Sequence, residues 1–569
     1  MDKKTKQTII VLLCVAGVIF ATVAALLVYM LFPAAEPSDG ELTLPPPTAP
    51  DPATVVRSPS ITGEFTYAEV VKERSLSIKL VGEVWADGYP LAYDKSENIY
   101  YLSVADESIG EFTGISFSAY DKAGNPLDIV FEEEIDKYSY FKPQNNKKYF
   151  MRVYDDGKYA NVSMIITTMP FLVIDTDGKS IGRDADTNCT ITLRDGNWKE
   201  HGSAPVTVSE AVIHTRGASS ASFPKKAYKF SLRESDYETN RNLSLLGLRN
   251  DDDYVLDAMY IDPTRMHNKL ATEIWNGMSS EYNASDGEYV EVILNGQYMG
   301  LYDLIEPIDQ KQLGLDEENG LLIKTPGWDG TRFEMYAPKP TGATWMGFEI
   351  KYPKENVTVR SWGYFCELVY ATVNYSNSRI GFLNSTDFYD HQNLTDYWLW
   401  LTVYSLRDNR GKNLYWSTVD ITDPDGVYLI TPWDCDLSFG YRYGATDTTL
   451  LNLPHHRDHY ENDYMDDFML LTRYIGSDVN GAKATIEERW EELSAEGGVM
   501  NLDSVKARIE YYRGYLVETG AWNREKKRWP DAMNPDSNEE FQYMYDWLDG
   551  RYEWMEQRIY DVVYGNALK

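Results

Sequence analysis

The chain falls into stretches of different hydrophobic rhythm. Ile9 to Phe32 is uncharged and almost wholly apolar. At about 1.5 Å per residue, a helix over residues 9–32 spans about 36 Å, enough for a tilted membrane crossing. Lys3, Lys4 and Lys6 precede it, and Glu36, Asp39 and Glu41 follow. The positive-inside rule then places residues 1–8 in the cytoplasm, as a short basic tail, and the bulk of the chain outside. A cleaved and secreted form is the alternative, but the apolar core of a signal peptide usually runs only about 7–15 residues. Residues 33–60 are rich in Pro, Ala, Asp and Thr, and predict an extended stalk.

Residues 61–168 show short β-like runs, at 76–81, 99–104, 115–120, 149–154 and 161–167, with turn signals at 121–125 and 155–157. This pattern predicts a small all-β, sandwich-like module without a catalytic constellation, a spacer or a binding module. From residue 169 to 569 the pattern is mixed, so the fold class is α+β. Strands are expected at 170–175, 189–193 and 206–216. A hairpin is expected over 289–306 around Asn295-Gly296. Asp262 and Pro263 open a helix that runs to about Met278. Another strand is expected at 320–324, and a lobe break near 330–390. Helices follow at 387–406, 463–475, 482–493, 503–519 and 539–564. In the last, Phe541, Tyr545, Leu548, Tyr552, Met555 and Ile559 fall three and four residues apart, a core-forming stripe.

Composition narrows the function. The formal charge is -34, which argues against nucleic acid as a partner, because phosphate binding needs clustered Lys and Arg. Such a surface keeps a chain soluble, or attracts basic protein substrates. Aromatic residues make up 14% of the chain, which argues against disorder. The four Cys form no disulfide framework or zinc site; Cys189 and Cys366 could pair, but free buried thiols are expected. The His455–His459 run reads as an exposed loop rather than a zinc site.

Candidate chemistry concentrates between Asp408 and Gly440. Asp408 and Asn413 lie five residues apart after an apolar helix, and Asp434 and Asp436 follow at the end of a strand-like run. In protein kinases, an Asp, an Asn five residues on and a later Asp orient the acceptor hydroxyl and hold Mg2+ on the phosphates. Asp-x-Asp is also a metal motif of nucleotide-sugar glycosyltransferases, but the parallel β-α units those need are not visible here. Upstream, Arg216, Lys225, Lys226 and Lys229 flank the small-residue loop Gly217 to Ser222, a candidate phosphate clamp or a solvated basic turn.

Together these blocks resemble the spore-coat CotH kinase family, an atypical, exported branch of the protein-kinase-like fold. The carrying segments are Leu172 to Gly178, Arg216-Gly217 with Ser222 to Tyr228, Tyr254 to Asp257 with Asp262, Arg265 and Asn268, the hairpin Val292 to Glu306, Asp408 with Asn413, and Pro432 to Gly440. The resemblance implies a two-lobed domain over 169–569 and ATP- and Mg2+- (or Mn2+-) dependent transfer of phosphate to Ser or Thr of exported proteins. It implies Asp408 as the catalytic Asp, Asn413 as its support or a metal ligand, and Asp434 with Asp436 as metal ligands. Lys226, or else Lys225, would contact the phosphates with Arg216 nearby, and Glu306 would lie near the nucleotide hinge. No Gly-x-Gly-x-x-Gly loop is present, so covering the phosphates falls to Gly217 to Ser222. Two other readings keep the fold: transfer of a different group, such as adenylyl, and a non-catalytic surface adhesin or pseudokinase. The need for ATP outside the membrane favours the last, and the joint presence of Asp408, Asn413, Asp434 and the lysines argues against it.

Overall fold

The computed structural model describes residues 81–131, 140–155, 158–183, 185–218, 220–327, 339–376, 378–442, 456–457, 459–461, 468–533 and 537–565. All of them belong to one compact unit, Val55–Lys569. The expected tail 1–8, anchor 9–32 and stalk 33–60 lie outside the described residues. Among the described residues, no helix is long and apolar enough to cross a membrane.

Seven strands close a barrel: β1 (Phe171–Asp175), β2 (Thr187–Arg194), β3 (Val206–Arg216), β4 (Ala227–Arg233), β5 (Asp253–Asp257), β6 (Gly287–Leu294) and β7 (Gln297–Ile305). They pair in the order β1-β2-β3-β4-β5-β7-β6, and a parallel β1–β6 pair completes the circle. Alternate residues fill the interior, among them Ile191, Leu193, Ile213, Phe230, Leu232, Tyr254, Leu256, Val292 and Leu304. Period-two burial of this kind follows from the strand pleat. At the β6–β7 hairpin, Asn295 and Gly296 both take positive φ, 52° and 74°, as the expected tight turn requires.

Helix α1 (His267–Met278) follows the barrel's fifth strand. It ends where the sequence indicates, but starts later. Asp262 folds back on its own turn, accepting from the amides of Thr264 and Arg265 at 2.8 and 2.9 Å and from that of His267. Its side chain thus caps an irregular turn rather than the first helical residue. Trp275 of α1 stacks on Tyr282 and meets Trp400 edge-on at 5.6 Å. This joins α1 to the core of the second half.

That half contains a five-stranded antiparallel sheet: β8 (Leu321–Thr325), β9 (Thr344–Trp345), β10 (Phe348–Tyr352), β11 (Leu414–Thr418) and β12 (Leu429–Pro432), ordered β9-β10-β8-β11-β12. Around it lie α2 (Phe365–Val373), α3 (Arg379–Ser385), α4 (His391–Tyr404), α5 (Met469–Gly476), α6 (Ala482–Ser494), α7 (Leu502–Glu518), α8 (Ala521–Arg528) and α9 (Ser537–Tyr564). One core, rich in Trp and Tyr, runs through sheet, α1 and helices. On α9, Phe541, Leu548, Met555 and Ile559 are buried in it, while Tyr545 and Tyr552 pack at its margin.

The N-terminal β module differs from a two-sheet sandwich. Eight of its strands form one continuous sheet, because Pro126–Phe131 pairs with both Phe117–Asp121 and Lys147–Asp155, while Thr113–Gly114 and Tyr140–Phe141 pair separately. Period two predicts strands but does not say which neighbour each takes. The sheet is fixed to the barrel by stacking of Tyr101 on Phe171 at 4.6 Å. The buried Arg194 guanidinium adds bonds to the carbonyls of Ala86, Tyr89 and Pro90.

Candidate active site

Helix α4 stops at Ser405, whose left-handed φ of 51° turns the chain out of the helix. A single 3-10 turn, Asp408–Arg410, follows, and β11 begins at Leu414. Strands β11 and β12 pair directly, Leu414 opposite Pro432. The hairpin therefore brings the Asp408–Asn413 loop beside the Trp433–Asp436 loop, and this explains their spacing in sequence. Trp433 donates its amide to the Asn413 carbonyl at 2.9 Å. Asn409 Nδ2 donates to the carbonyls of Asn413 and Trp433 at 3.0 and 2.9 Å. Asn413 Nδ2 reaches the Asp434 carbonyl at 3.4 Å. Both Asn413 and Asp434 are held in the left-handed region, at φ 57° and 58°, a conformation that Asn and Asp tolerate better than most residues.

Four carboxylates line this place. Asp408 forms a 2.6 Å ion pair with Lys412, one helical turn on. Asp434 is exposed to solvent although atoms crowd round it, as on the wall of a cleft. Burial raises its carboxyl above the usual range, Arg216 opposes the rise and Asp408 adds to it. Asp436 is pushed well above the ordinary value by burial, then by Asp434, Asp408 and Asp257. Asp257, at the end of β5, is raised by burial, with Asp434 adding to the rise. Among the described residues, no side chain donates a hydrogen bond or forms an ion pair to the carboxylates of Asp434 or Asp436. Arg216, Lys412 and Lys324 offset only part of the burial and mutual repulsion at Asp434, which is the electrostatic condition a bound cation relieves.

Two cations, Arg216 and Lys324, lie near these acids. The Arg216 guanidinium lies 4.9 Å from the centre of the Trp433 ring. Lys324, on β8, has its ammonium 5.5 Å from the Tyr415 ring centre. Burial pulls the Lys324 ammonium below its usual range, Arg216 pulls the same way and Asp434 opposes. An apolar cluster of Val255, Ile305, Leu322, Tyr415 and Trp433 lies between barrel and second sheet. Glu306 is next to Ile305 at the end of β7; its carboxylate accepts from the Arg249 amide, its carbonyl from Ser285 Oγ.

The expected lysines fare differently. Lys225 does not face the cleft. Its side chain is wholly enclosed, paired with Glu525 at 2.7 Å and bonded to the Leu301 carbonyl. Lys226 returns its ammonium to the Ala221 carbonyl at 2.7 Å and braces the Gly217–Ser222 loop from its own base. Lys229 pairs with Asp253 at 2.7 Å. The sequence reading missed Lys324 and gave no role to Asp257. Each had a signal: a charged residue inside or at the end of an otherwise apolar strand, Leu321-Leu322-Ile323-Lys324 and Tyr254-Val255-Leu256-Asp257.

The donor set suits a hard divalent cation such as Mg2+ or Mn2+, since carboxylate and amide oxygens dominate it. Among the described residues, no three His, Cys, Asp or Glu side chains converge on one point. That fits Mg2+ sites in which one or two carboxylates act with phosphate oxygens to complete the shell.

A barrel set against a mixed half, with an Asp/Asn loop and an acidic loop joined by one hairpin, defines a kinase-like protein. The family model described as CotH kinase protein matches residues 213–555. That is well over half of the 569 residues, and the chain belongs to the CotH kinase family. The match begins inside β3, so β1, β2 and the eight-stranded sheet precede it. No curated protein matches the chain.

Proposed function

We propose that this protein is an ATP-dependent protein kinase that transfers phosphate to Ser or Thr of exported proteins, at the outer face of a membrane to which residues 9–32 anchor it. The observation that carries the reading is the hairpin coupling of Asn413 to Asp434, which joins a hydroxyl-orienting loop to a cation-binding loop. Asp408, held by Lys412, accepts a hydrogen bond from the acceptor hydroxyl and aligns it with the γ-phosphoryl group. Asn413, Asp434 and Asp436 hold the divalent cation, which supplies charge neutralisation at the phosphates when bound. Arg216 and Lys324 add positive charge near these acids, where preorganised charge is most effective. The apolar cluster of Val255, Ile305, Leu322, Tyr415 and Trp433 suits the nucleobase, with the backbone at Glu306 within reach of its edge. The acidity of the chain favours a basic, Ser-rich protein substrate and no nucleic acid.

The test incubates the full chain with γ-labelled and, separately, α-labelled ATP, Mg2+ or Mn2+, and a basic Ser-rich protein. Protein label from the γ position alone is the expected result. Label from the α position would replace the kinase reading with nucleotidyl transfer. No label and no nucleotide binding would overturn both.

A further inference from the structure

The loop that carries Asp434 and Asp436 is held through its backbone groups, mostly by side chains that hydrogen-bond to them. The Trp433 carbonyl takes Asn409 Nδ2, and the Asp434 carbonyl takes Asn413 Nδ2. The Cys435 carbonyl takes Ser438 Oγ at 2.8 Å. The Phe439 amide donates to the Tyr404 carbonyl at 2.8 Å. All of these partners come from α4, the loop after it, or the acidic loop itself. The Cys435 amide is different. It donates to Asn268 Oδ1 at 2.8 Å, from the first turn of α1.

Asn268 is well placed to act as a fixed point. It is buried, at 7% exposure. The turn before it is over-determined by Asp262, and by Arg265, whose guanidinium bonds the Met259 and Tyr260 carbonyls at 2.7 and 3.2 Å. The helix after it is fixed in the aromatic core, where Trp400 Nε1 donates to the Ala271 carbonyl at 2.8 Å. The other end of the Asn268 amide faces Asp257, Nδ2 to Oδ2 at 3.5 Å. One side chain thus touches both the β5 acid and the peptide between the two acids of the loop.

We propose that Asn268 is a positioning residue of the cation-binding loop: its oxygen fixes the Cys435 N–H, and thereby the direction in which Asp434 and Asp436 present their carboxylates. The inference rests on the kinase reading above. A rigid acceptor matters here because Asp434 occupies a left-handed backbone conformation that an untethered residue would leave. Cys435 lies between Asp434 and Asp436, so a shift of its peptide moves the backbone that carries both carboxylates.

The test uses the full chain and counts free Mn2+ by electron paramagnetic resonance, with ADP present and absent. Loss of an outer partner of a metal ligand typically weakens metal binding by about 10–100-fold, and that range is expected for Asn268→Ala with Mn2+ and ADP. Asn268→Asp is isosteric and keeps an oxygen acceptor for the Cys435 N–H but loses the amide that faces Asp257, so it should bind Mn2+ more tightly than the Ala variant. Asn268→Ser stays polar but is too short to reach Cys435. It should behave like the Ala variant, and serves if that variant fails to fold. Unchanged Mn2+ affinity in the Ala and Ser variants, or equal weakening in the Asp and Ala variants, would overturn the role of Asn268. In either case, wild-type binding that is lost in Asp434→Ala leaves the kinase reading standing. A wild-type chain that binds no Mn2+ with ADP overturns both readings together.

Discussion

Lys225 and Glu525 are separated by 300 residues and meet in an ion pair of 2.7 Å from which solvent is fully excluded. Glu525, on α8, also accepts from the Leu301 amide at 2.8 Å and from Arg265 Nε at 3.1 Å. A C-terminal helix is thereby keyed to β7 and to the turn before α1. Gly300 makes the approach possible: a Cβ there would lie 2.2 Å from Glu525 Oε2. Removing one partner of a buried pair typically costs about 3–5 kcal/mol, and because Arg265 still pairs with Glu525 the low end of that range applies here. Lys225→Met should lose stability of that order in urea unfolding, while ATP affinity of the folded protein is unchanged. A Lys225 that served as a phosphate ligand would give the reverse: stability kept and ATP affinity lost.

The contrast between Lys225 and Lys226 shows where sequence reading stops. Adjacent residues entering a strand face opposite ways, but nothing local says which way faces the ligand. The partner that decides it, Glu525, is remote in sequence. The same limit hid Lys324 and Asp257, which arrive at the cleft on separate strands, β8 and β5. Asp408, Asn413 and Asp434 were legible because a single hairpin joins them, so their proximity is local. The Asn295-Gly296 turn and the helices 482–493, 503–519 and 539–564 were legible for the same reason. The single eight-stranded sheet and the short strands β9 and β10 were not, because strand pairing is a long-range choice that period-two patterning leaves open.

Lys324 and Arg216 are expected to act on the phosphates rather than on the fold. Burial already disfavours the charged form of Lys324, so Lys324→Met should leave thermal stability equal or higher. Preorganised charge of this kind is commonly worth about 100-fold or more in rate. Lys324→Met and Arg216→Ala should each lower kcat/KM for ATP by that order. A variant that loses stability but keeps kcat/KM would assign its cation to the fold instead.

Asp434 and Asp408 should separate binding from transfer. Asp434→Ala removes a carboxylate whose burial is unfavourable, so the chain should fold normally and lose metal-dependent nucleotide binding. Asp408→Asn should keep nucleotide binding and lower kcat by about 10²–10⁴, the usual contribution of a positioned acid–base group. Calorimetric titration with Mg2+ and ADP, beside turnover with ATP, distinguishes the two. Equal loss of binding in both variants would contradict the assigned roles.

A pH effect is expected away from the cleft. His201 Nδ1 lies 2.7 Å from Asp195 Oδ2, and this hydrogen bond raises the imidazole above its ordinary value of 6.5. The folded state therefore binds the proton more tightly than the unfolded chain. The stabilisation is fully present below pH 6.5 and fades as pH rises through the raised folded value. It should amount to less than about 1 kcal/mol at this partly exposed site. His201→Gln should flatten the slope of stability with pH in that window, and leave stability at higher pH nearly unchanged. A slope that persists in the variant would place its origin in other groups.

The eight-stranded sheet precedes the family match, yet its contacts argue that it folds as one with the barrel. Tyr101 stacks on Phe171 of β1 and lies 6.1 Å from the Tyr298 ring of β7. Arg524 of α8 covers the Tyr101 ring at 5.7 Å, bonds Asn146, just before the strand Lys147–Asp155, at 2.9 Å and pairs with Glu291 of β6. Arg524 is one residue from Glu525, so the sheet, the barrel and the Lys225 pair share a single junction. Truncating a buried aromatic residue typically costs about 3–5 kcal/mol. If the junction couples the parts, Tyr101→Ala should lower one common unfolding transition in calorimetry of the full chain. A freely hung spacer would instead give two transitions, with only the smaller one moved.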